Sequence, residues 1–157
     1  MEKYIVEVYS RWTEWRNEKR KLHRLGGLPA IEYDTGTKEW YRNGKRHRVG
    51  GPAIEYAGGY KSWYLNGKHH REDGPAVEYA DGEKRWYING NRHRADGPAI
   101  EYADGDKYWY LNGKCHREDG PAVEDANGTK FWFLNGEPLK CKTQKEFKQY
   151  MKMKSFL

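Results

Sequence analysis

Proline returns every 23 residues, at Pro29, Pro52, Pro75, Pro98 and Pro121, and the rest of a sequence unit returns with it. Trp40, Trp63, Trp86, Trp109 and Trp132 keep that spacing, as do Glu32, Glu55, Glu78, Glu101 and Glu124 and the asparagines Asn43, Asn66, Asn89, Asn112 and Asn135, each followed by glycine. A unit this short cannot enclose an apolar core alone. It must stack on its neighbours in a quasi-one-dimensional array.

The punctuation inside a unit indicates strands rather than helices. Asp81-Gly82 and Asn89-Gly90 are both two-residue hairpin signals, because a type I′ turn needs positive φ at both central positions. Centring the first turn on Asp81-Gly82 pairs Val77 with Trp86, and by repetition Ile31 with Trp40, Ile54 with Trp63, Ile100 with Trp109 and Val123 with Trp132. One face then collects Pro75, Val77, Tyr79, Trp86 and Ile88 as the core, and the opposite face collects Ala76, Glu78, Arg85 and Tyr87. The long connections that carry the prolines are expected to cover the tryptophans.

The expected fold is all-β: an elongated single-layer array of stacked antiparallel β-hairpins with a short C-terminal helix as a cap. Residues 1–24 hold a strand-like Tyr4 to Tyr9 and the pair Trp12 and Trp15, and read as a degenerate capping repeat. Residues 25–136 are the array of five 23-residue repeats, and residues 137–157 are the C-terminal cap. In that cap Thr143-Gln144-Lys145-Glu146 is a capping box, followed at helical spacing by Phe147, Tyr150, Met151 and Lys154, which predicts a helix over about 143–155. The aromatic residues Tyr108, Tyr110, Phe131 and Phe133 offer it a docking patch.

Charge narrows the partners. The chain has 157 residues and a net charge of +6. The excess sits at the ends, because residues 25–136 carry 16 basic against 17 acidic side chains. A surface that follows a polyphosphate needs its basic residues along the array. The N-terminus lacks the continuous apolar stretch of a secretory signal, which makes the cytoplasm the expected compartment. Cys115 and Cys141 are too few for a disulfide framework and are read as free thiols.

The repeat resembles a known family. The 23-residue period, the Asn-Gly-Lys-Xaa-His step and the Tyr-Ala-Asp-Gly turn are similar to MORN repeats, over residues 25–136. That resemblance implies sheets of successive hairpins, protein scaffolding and, in some members, binding to anionic phospholipids. The Asp-Gly-Pro-Ala-Xaa-Glu-Tyr variant also resembles repeats of small phage and giant-virus proteins, which implies an inhibitor or adaptor acting on a host protein.

No catalytic or metal signature stands out. His47, His70, His93 and His116 recur once per unit, roughly 10 Å apart in a stacked array. Zinc needs ligands about 2.0–2.3 Å from one ion. The histidines are therefore expected to pack beside tryptophan and bond a turn carbonyl, and the recurring Glu and Arg to form a paired ladder. Catalytic sites are singular, whereas this chain repeats everything. The expectation is a non-enzymatic protein-binding module that needs no cofactor. Its binding face is assigned to Tyr41, Tyr64 and Tyr87 with their variable neighbours Glu39, Ser62 and Arg85, since a tyrosine beside a charge suits an interface core. Two alternatives stand beside it. One is attachment to an anionic membrane or nucleic acid through Lys140, Lys142, Lys145, Lys148 and Lys152, and the other is nucleotide capture between repeats by Arg and His. Open sheet edges also allow self-association.

Overall fold

The computed structural model describes residues 3–155 and is an all-β repeat array closed by one C-terminal helix. The chain divides into two compact units, Met1–Ala80 and Asp81–Leu157. In the first, the strands Ile5–Val8, Trp12–Arg16, Ile31–Tyr33, Lys38–Glu39, Ile54–Glu55, Lys61–Ser62 and Val77–Glu78 follow one another as an antiparallel meander. In the second, Lys84–Arg85, Ile100–Glu101, Lys107–Tyr108, Val123–Glu124 and Lys130–Phe131 do the same.

Each repeat also contributes a second hairpin. Tyr41–Arg42 pairs with Lys45–Arg46 and Tyr64–Leu65 with Lys68–His69 in the first unit. Tyr110–Leu111 pairs with Lys114–Cys115 and Phe133–Leu134 with Glu137–Pro138 in the second. These ribbons form a second row, tied from repeat to repeat by backbone bonds such as Gly67 N–H to the Arg46 carbonyl (2.8 Å) and Gly136 N–H to the Cys115 carbonyl (2.9 Å).

The Asn-Gly turns are the expected type I′ turns. Asn43 (φ +52°) and Gly44 (φ +80°) are both left-handed, and Arg42 faces Lys45 across them. Asn66-Gly67, Asn89-Gly90, Asn112-Gly113 and Asn135-Gly136 repeat that geometry.

The other turn is different, and the register changes with it. Tyr102 N–H donates to the Asp106 carbonyl and Gly105 N–H to the Tyr102 carbonyl, which closes a three-residue loop with left-handed geometry at Gly105 alone. This is a type I turn followed by a glycine bulge. Tyr33–Thr37, Tyr56–Tyr60 and Asp125–Thr129 close in the same way. Ile31 therefore faces Glu39, Ile54 faces Ser62, Ile100 faces Tyr108 and Val123 faces Phe131, so the pairing of these residues with tryptophan is corrected by one position. Because side chains alternate with a period of two, that single step moves the tryptophans to the side opposite Ile and Val.

The most tightly enclosed positions are alanines. Ala30, Ala53 and Ala76 in one unit and Ala99 and Ala122 in the other are fully buried. Each sits where three strands are tied together. Ala53 N–H donates to the Ser62 carbonyl and the Ala53 carbonyl accepts from Trp40 N–H, both at 2.8 Å. Next to them Ile31, Ile54 and Val77, and in the second unit Ile100 and Val123, complete the core.

The N-terminal segment shares backbone bonds with the repeats that follow it. Trp15 N–H donates to the Ala30 carbonyl and His23 N–H to the Trp15 carbonyl, the bonds that Trp40 and His47 make one repeat later. At the other end the helix runs Gln144–Lys154. Thr143 Oγ1 accepts from Glu146 N–H, and the Glu146 carboxylate accepts from Lys142 N–H at 2.8 Å, so the capping box closes one residue earlier than its usual partner.

Candidate binding grooves between repeats

Trp and Arg build the recurring unit of the candidate site. In the N-terminal segment and every repeat but the last, the connection that follows returns an arginine over the indole. Arg24 lies on Trp15 and Arg48 on Trp40 at 3.7 Å, and Arg71 on Trp63, Arg94 on Trp86 and Arg117 on Trp109 at 4.1 Å. The same guanidinium donates to the recurring glutamate and to the recurring proline carbonyl. For Arg71 these bonds are 2.9 Å to Glu78 and 3.1 Å to Pro75, with a further 2.9 Å bond to Asp73. The paired Glu and Arg ladder expected from the sequence is therefore present, and the connections lay an arginine on five of the tryptophans while leaving Trp63, Trp86 and Trp109 half-buried.

That arch explains the glycine before Pro52, Pro75, Pro98 and Pro121. A Cβ on Gly51, Gly74, Gly97 or Gly120 would come within 2.8–3.1 Å of the arginine Cζ, so the guanidinium lies where a side chain would be.

Each histidine fastens one repeat to the next. His23, His47, His93 and His116 use Nδ1 to accept the backbone N–H of Asn43, Asn66, Asn112 and Asn135, at 2.9–3.2 Å. This corrects the expected bond to a turn carbonyl: the partner is the N–H of the left-handed asparagine. Accepting that N–H requires a deprotonated Nδ1. Burial, followed by the charge of Arg42, pushes the His47 pKa below its ordinary 6.5, although its bond with Asn66 opposes this. A folded-state value below the unfolded one adds stability that is present above about pH 6.5 and is lost as pH falls through the folded value. Urea midpoints are therefore expected to fall on acidification below that pH. His47→Gln, whose amide oxygen can accept the same N–H without titrating, should flatten this part of the profile.

Between consecutive arms lies a groove floored by tryptophan and leucine. One, of about 470 Å³, lies between Arg48–Pro52 and His70–Asp73 over Trp63 and Leu65. Its counterpart in the second unit, of about 550 Å³, lies between Arg94–Pro98 and His116–Asp119 over Trp109 and Leu111. The first groove of the chain, over Trp40, is narrower at about 300 Å³. Its arm is one residue longer, and the Gly27 carbonyl reaches the Trp40 indole N–H at 2.7 Å.

In the last repeat the same positions are closed. Trp63, Leu65 and Pro52, like Trp109, Leu111 and Pro98, are half-buried, whereas Trp132, Leu134 and Pro121 are buried. Phe147 of the helix is 1% exposed and Trp132 3% exposed. Gln144 Nε2 donates to the Asp119 carbonyl at 2.9 Å, so the helix is held on the arm of that groove. Of the expected docking patch Tyr108, Tyr110, Phe131 and Phe133, Phe131 is 48% exposed, whereas the adjacent Trp132 is buried.

The tyrosine row is a structural network rather than an open face. Tyr41, Tyr64 and Tyr87 are half-buried. Tyr41 OH donates to Glu39 at 2.8 Å, and burial together with that carboxylate pushes its pKa up to about 12. Arg46 lies over both the Tyr41 and Tyr64 rings. Glu39 is only 6% exposed, and Ser62 is fully enclosed with its Oγ on the Ala76 carbonyl at 3.3 Å. Arg85 is half-buried, paired with Glu83 and lying over Tyr102. Glu39 and Ser62 are thus corrected from surface positions to interior ones. The three-residue turn puts them on the side of Ile31 and Ile54.

The basic cluster is differently placed. Lys140, Lys142, Lys145, Lys148 and Lys152 are all exposed. Cys115 and Cys141 are free thiols, and burial pushes Cys115 up to about 11. Among the described residues no three His, Cys, Asp or Glu side chains converge as metal ligands, and no helix is long and apolar enough to cross a membrane.

The grooves were missed by sequence reasoning although their signal is printed in the chain. Arginine follows tryptophan by eight residues in four successive repeats, at 40 and 48, 63 and 71, 86 and 94, and 109 and 117, and glycine follows that arginine by three. Set beside known proteins, the chain matches no family model, and no curated protein matches it either.

Proposed function

We propose that this chain is a non-catalytic repeat module that binds another protein, and that the grooves over Trp63 and Trp109, rather than the tyrosine row, make the contact. The observation that carries the reading is a contrast within one repeat pattern. Trp132 and Leu134 are buried at the end of the array, while Trp63, Leu65, Trp109 and Leu111 are left half-exposed in walled grooves. Half-buried tryptophans in concave sites are characteristic anchors of protein interfaces. The resemblance to viral repeat proteins adds a host protein as one class of partner.

Other readings fit less well. Nucleotide capture would use Arg94 and Arg117, but these are already bonded to Asp96, Glu101, Asp119 and Glu124, so two guanidiniums face four carboxylates before a phosphate arrives. Membrane attachment through the C-terminal helix would need its apolar face, and Phe147 is turned into the protein. The repetition of every polar group, each tied into the lattice, supports a scaffold rather than an enzyme.

Selection from a displayed peptide library tests the reading. Peptides enriched on the full chain should lose binding to a variant carrying Val49→Phe and Ala95→Phe, two exposed residues at the groove mouths whose enlargement leaves the lattice intact. Enrichment that survives the double variant, or no enrichment, contradicts it.

A further inference from the structure

Resting on that reading, we infer that the occupant of the Trp63 and Trp109 grooves is a lysine-rich amphipathic helix that inserts one phenylalanine. The molecule carries such a helix at its own end. The helix Gln144–Lys154 carries Phe147 as its buried side chain, exposes Lys145, Lys148, Lys152 and Lys154, and uses Gln144 to grip the carbonyl of Asp119 on the groove's arm. The grooves over Trp63 and Trp109 have the same floor and the same arm, without that helix.

Size and charge fit the same occupant. Successive arms are two strands apart, roughly 10 Å, and a helix with its side chains is about 10–12 Å across. Around the Trp109 groove, Arg94 and Arg117 stand among Asp96, Glu101, Glu118, Asp119 and Glu124, so the site carries more carboxylate than guanidinium. Around the Trp63 groove, Arg48 and Arg71 stand among Glu55, Glu72, Asp73 and Glu78. The surplus carboxylates Glu72, Asp73, Asp96, Glu118 and Asp119 are exposed at the rims. A basic helix meets complementary charge there, and an acidic one meets repulsion.

The indole N–H groups agree with a helical occupant. In the narrow first groove a loop carbonyl takes the Trp40 N–H, but in the last groove Trp132 Nε1 is buried without a partner. A helix spends its interior carbonyls on its own amides and leaves only those of its last turn to lend.

The probe is a synthetic peptide spanning residues 140–155, added to the ¹⁵N-labelled full chain. Saturable shifts of the Trp63 and Trp109 indole resonances are expected, with Trp40 unmoved. A peptide carrying Phe147→Ala should bind at least about tenfold more weakly. Glu72→Lys and Glu118→Lys in the chain, at exposed rim positions that leave the fold intact, should weaken binding and reduce its salt dependence. No shift at millimolar peptide, shifts confined to Trp132 as the peptide exchanges with the resident helix, or indifference to Phe147→Ala would each overturn the inference. Concentration-dependent shifts of the chain without peptide, as in pairing with a second copy, would overturn it too if they persisted after Phe147→Ala in the chain. If the peptide fails while library ligands blocked by Val49→Phe and Ala95→Phe are still found, only the helical, basic occupant is wrong. Failure of both removes the protein-binding reading as well.

Discussion

Phe147→Ala is expected to cost about 3–5 kcal/mol, the range for emptying a fully enclosed aromatic site, and to do so locally. Phe147 is the one buried residue of the helix, and it comes from an 11-residue segment too short to be stable in isolation. A repeat array unfolds by units, because each repeat is supported only by its neighbours. The loss should therefore appear first as disappearance of the helical circular dichroism and as solvent access to Trp132, while the amides of Ala53, Ile54 and Ala76 in the first unit stay protected. Phe147→Leu, which keeps most of the volume, should retain the helix at a cost below about 1.5 kcal/mol. A variant with alanine at this position, an intact helix and an unchanged urea midpoint would mean that Phe147 does not close the array.

Arg71→Lys is the second large effect, although it conserves charge. The guanidinium of Arg71 stacks on Trp63 and donates to Glu78, Asp73 and the Pro75 carbonyl at once. Lysine presents a compact ammonium that cannot lie flat on the indole and reach all three acceptors. The side chain is partly open to solvent, so the full value of those charged bonds does not apply. A loss of about 2 kcal/mol is the reasonable scale. Glu72→Ala, one residue away but exposed, should change the urea midpoint hardly at all. Equal small effects at both positions would show that the arginine arch does not hold the arm in place.

The fold was legible because it depends on the period, and the site was not because it depends on the register. Five tryptophans and five prolines at one spacing require stacked units whatever their internal pairing. The Asn-Gly turns were equally readable, since both residues must be left-handed and few other pairs tolerate that. Asp104-Gly105 and Asn127-Gly128 match the same two-residue signal but need only glycine to be left-handed, and a two-residue turn and a three-residue turn with a glycine bulge look alike in sequence. The extra residue shifted the second strand of the first hairpin by one position against the first strand, so its side chains changed sides. Glu39 and Ser62, which looked like variable surface positions, thereby became neighbours of Ile31 and Ile54. The capping box at Thr143 marked where the helix begins, because it is a local pattern. Where the helix docks is marked by Gln144 and the carbonyl of Asp119, which are brought together by the fold alone. The histidines were read as structural, but their partner, the left-handed asparagine N–H of the next repeat, could be seen only once the second row of hairpins was in place.

Hydrogen exchange of the tryptophan indole N–H groups, followed by NMR on the chain without any ligand, tests the central claim most directly. Trp40 N–H, bonded to the Gly27 carbonyl, and Trp132 N–H, enclosed at the helix end, should exchange slowly, whereas those of Trp63 and Trp109 in their open grooves should exchange rapidly with water. Uniform protection of all four, or exchange at Trp132 as fast as at Trp63, would contradict an array whose last groove is filled from within and whose others stand ready for a partner.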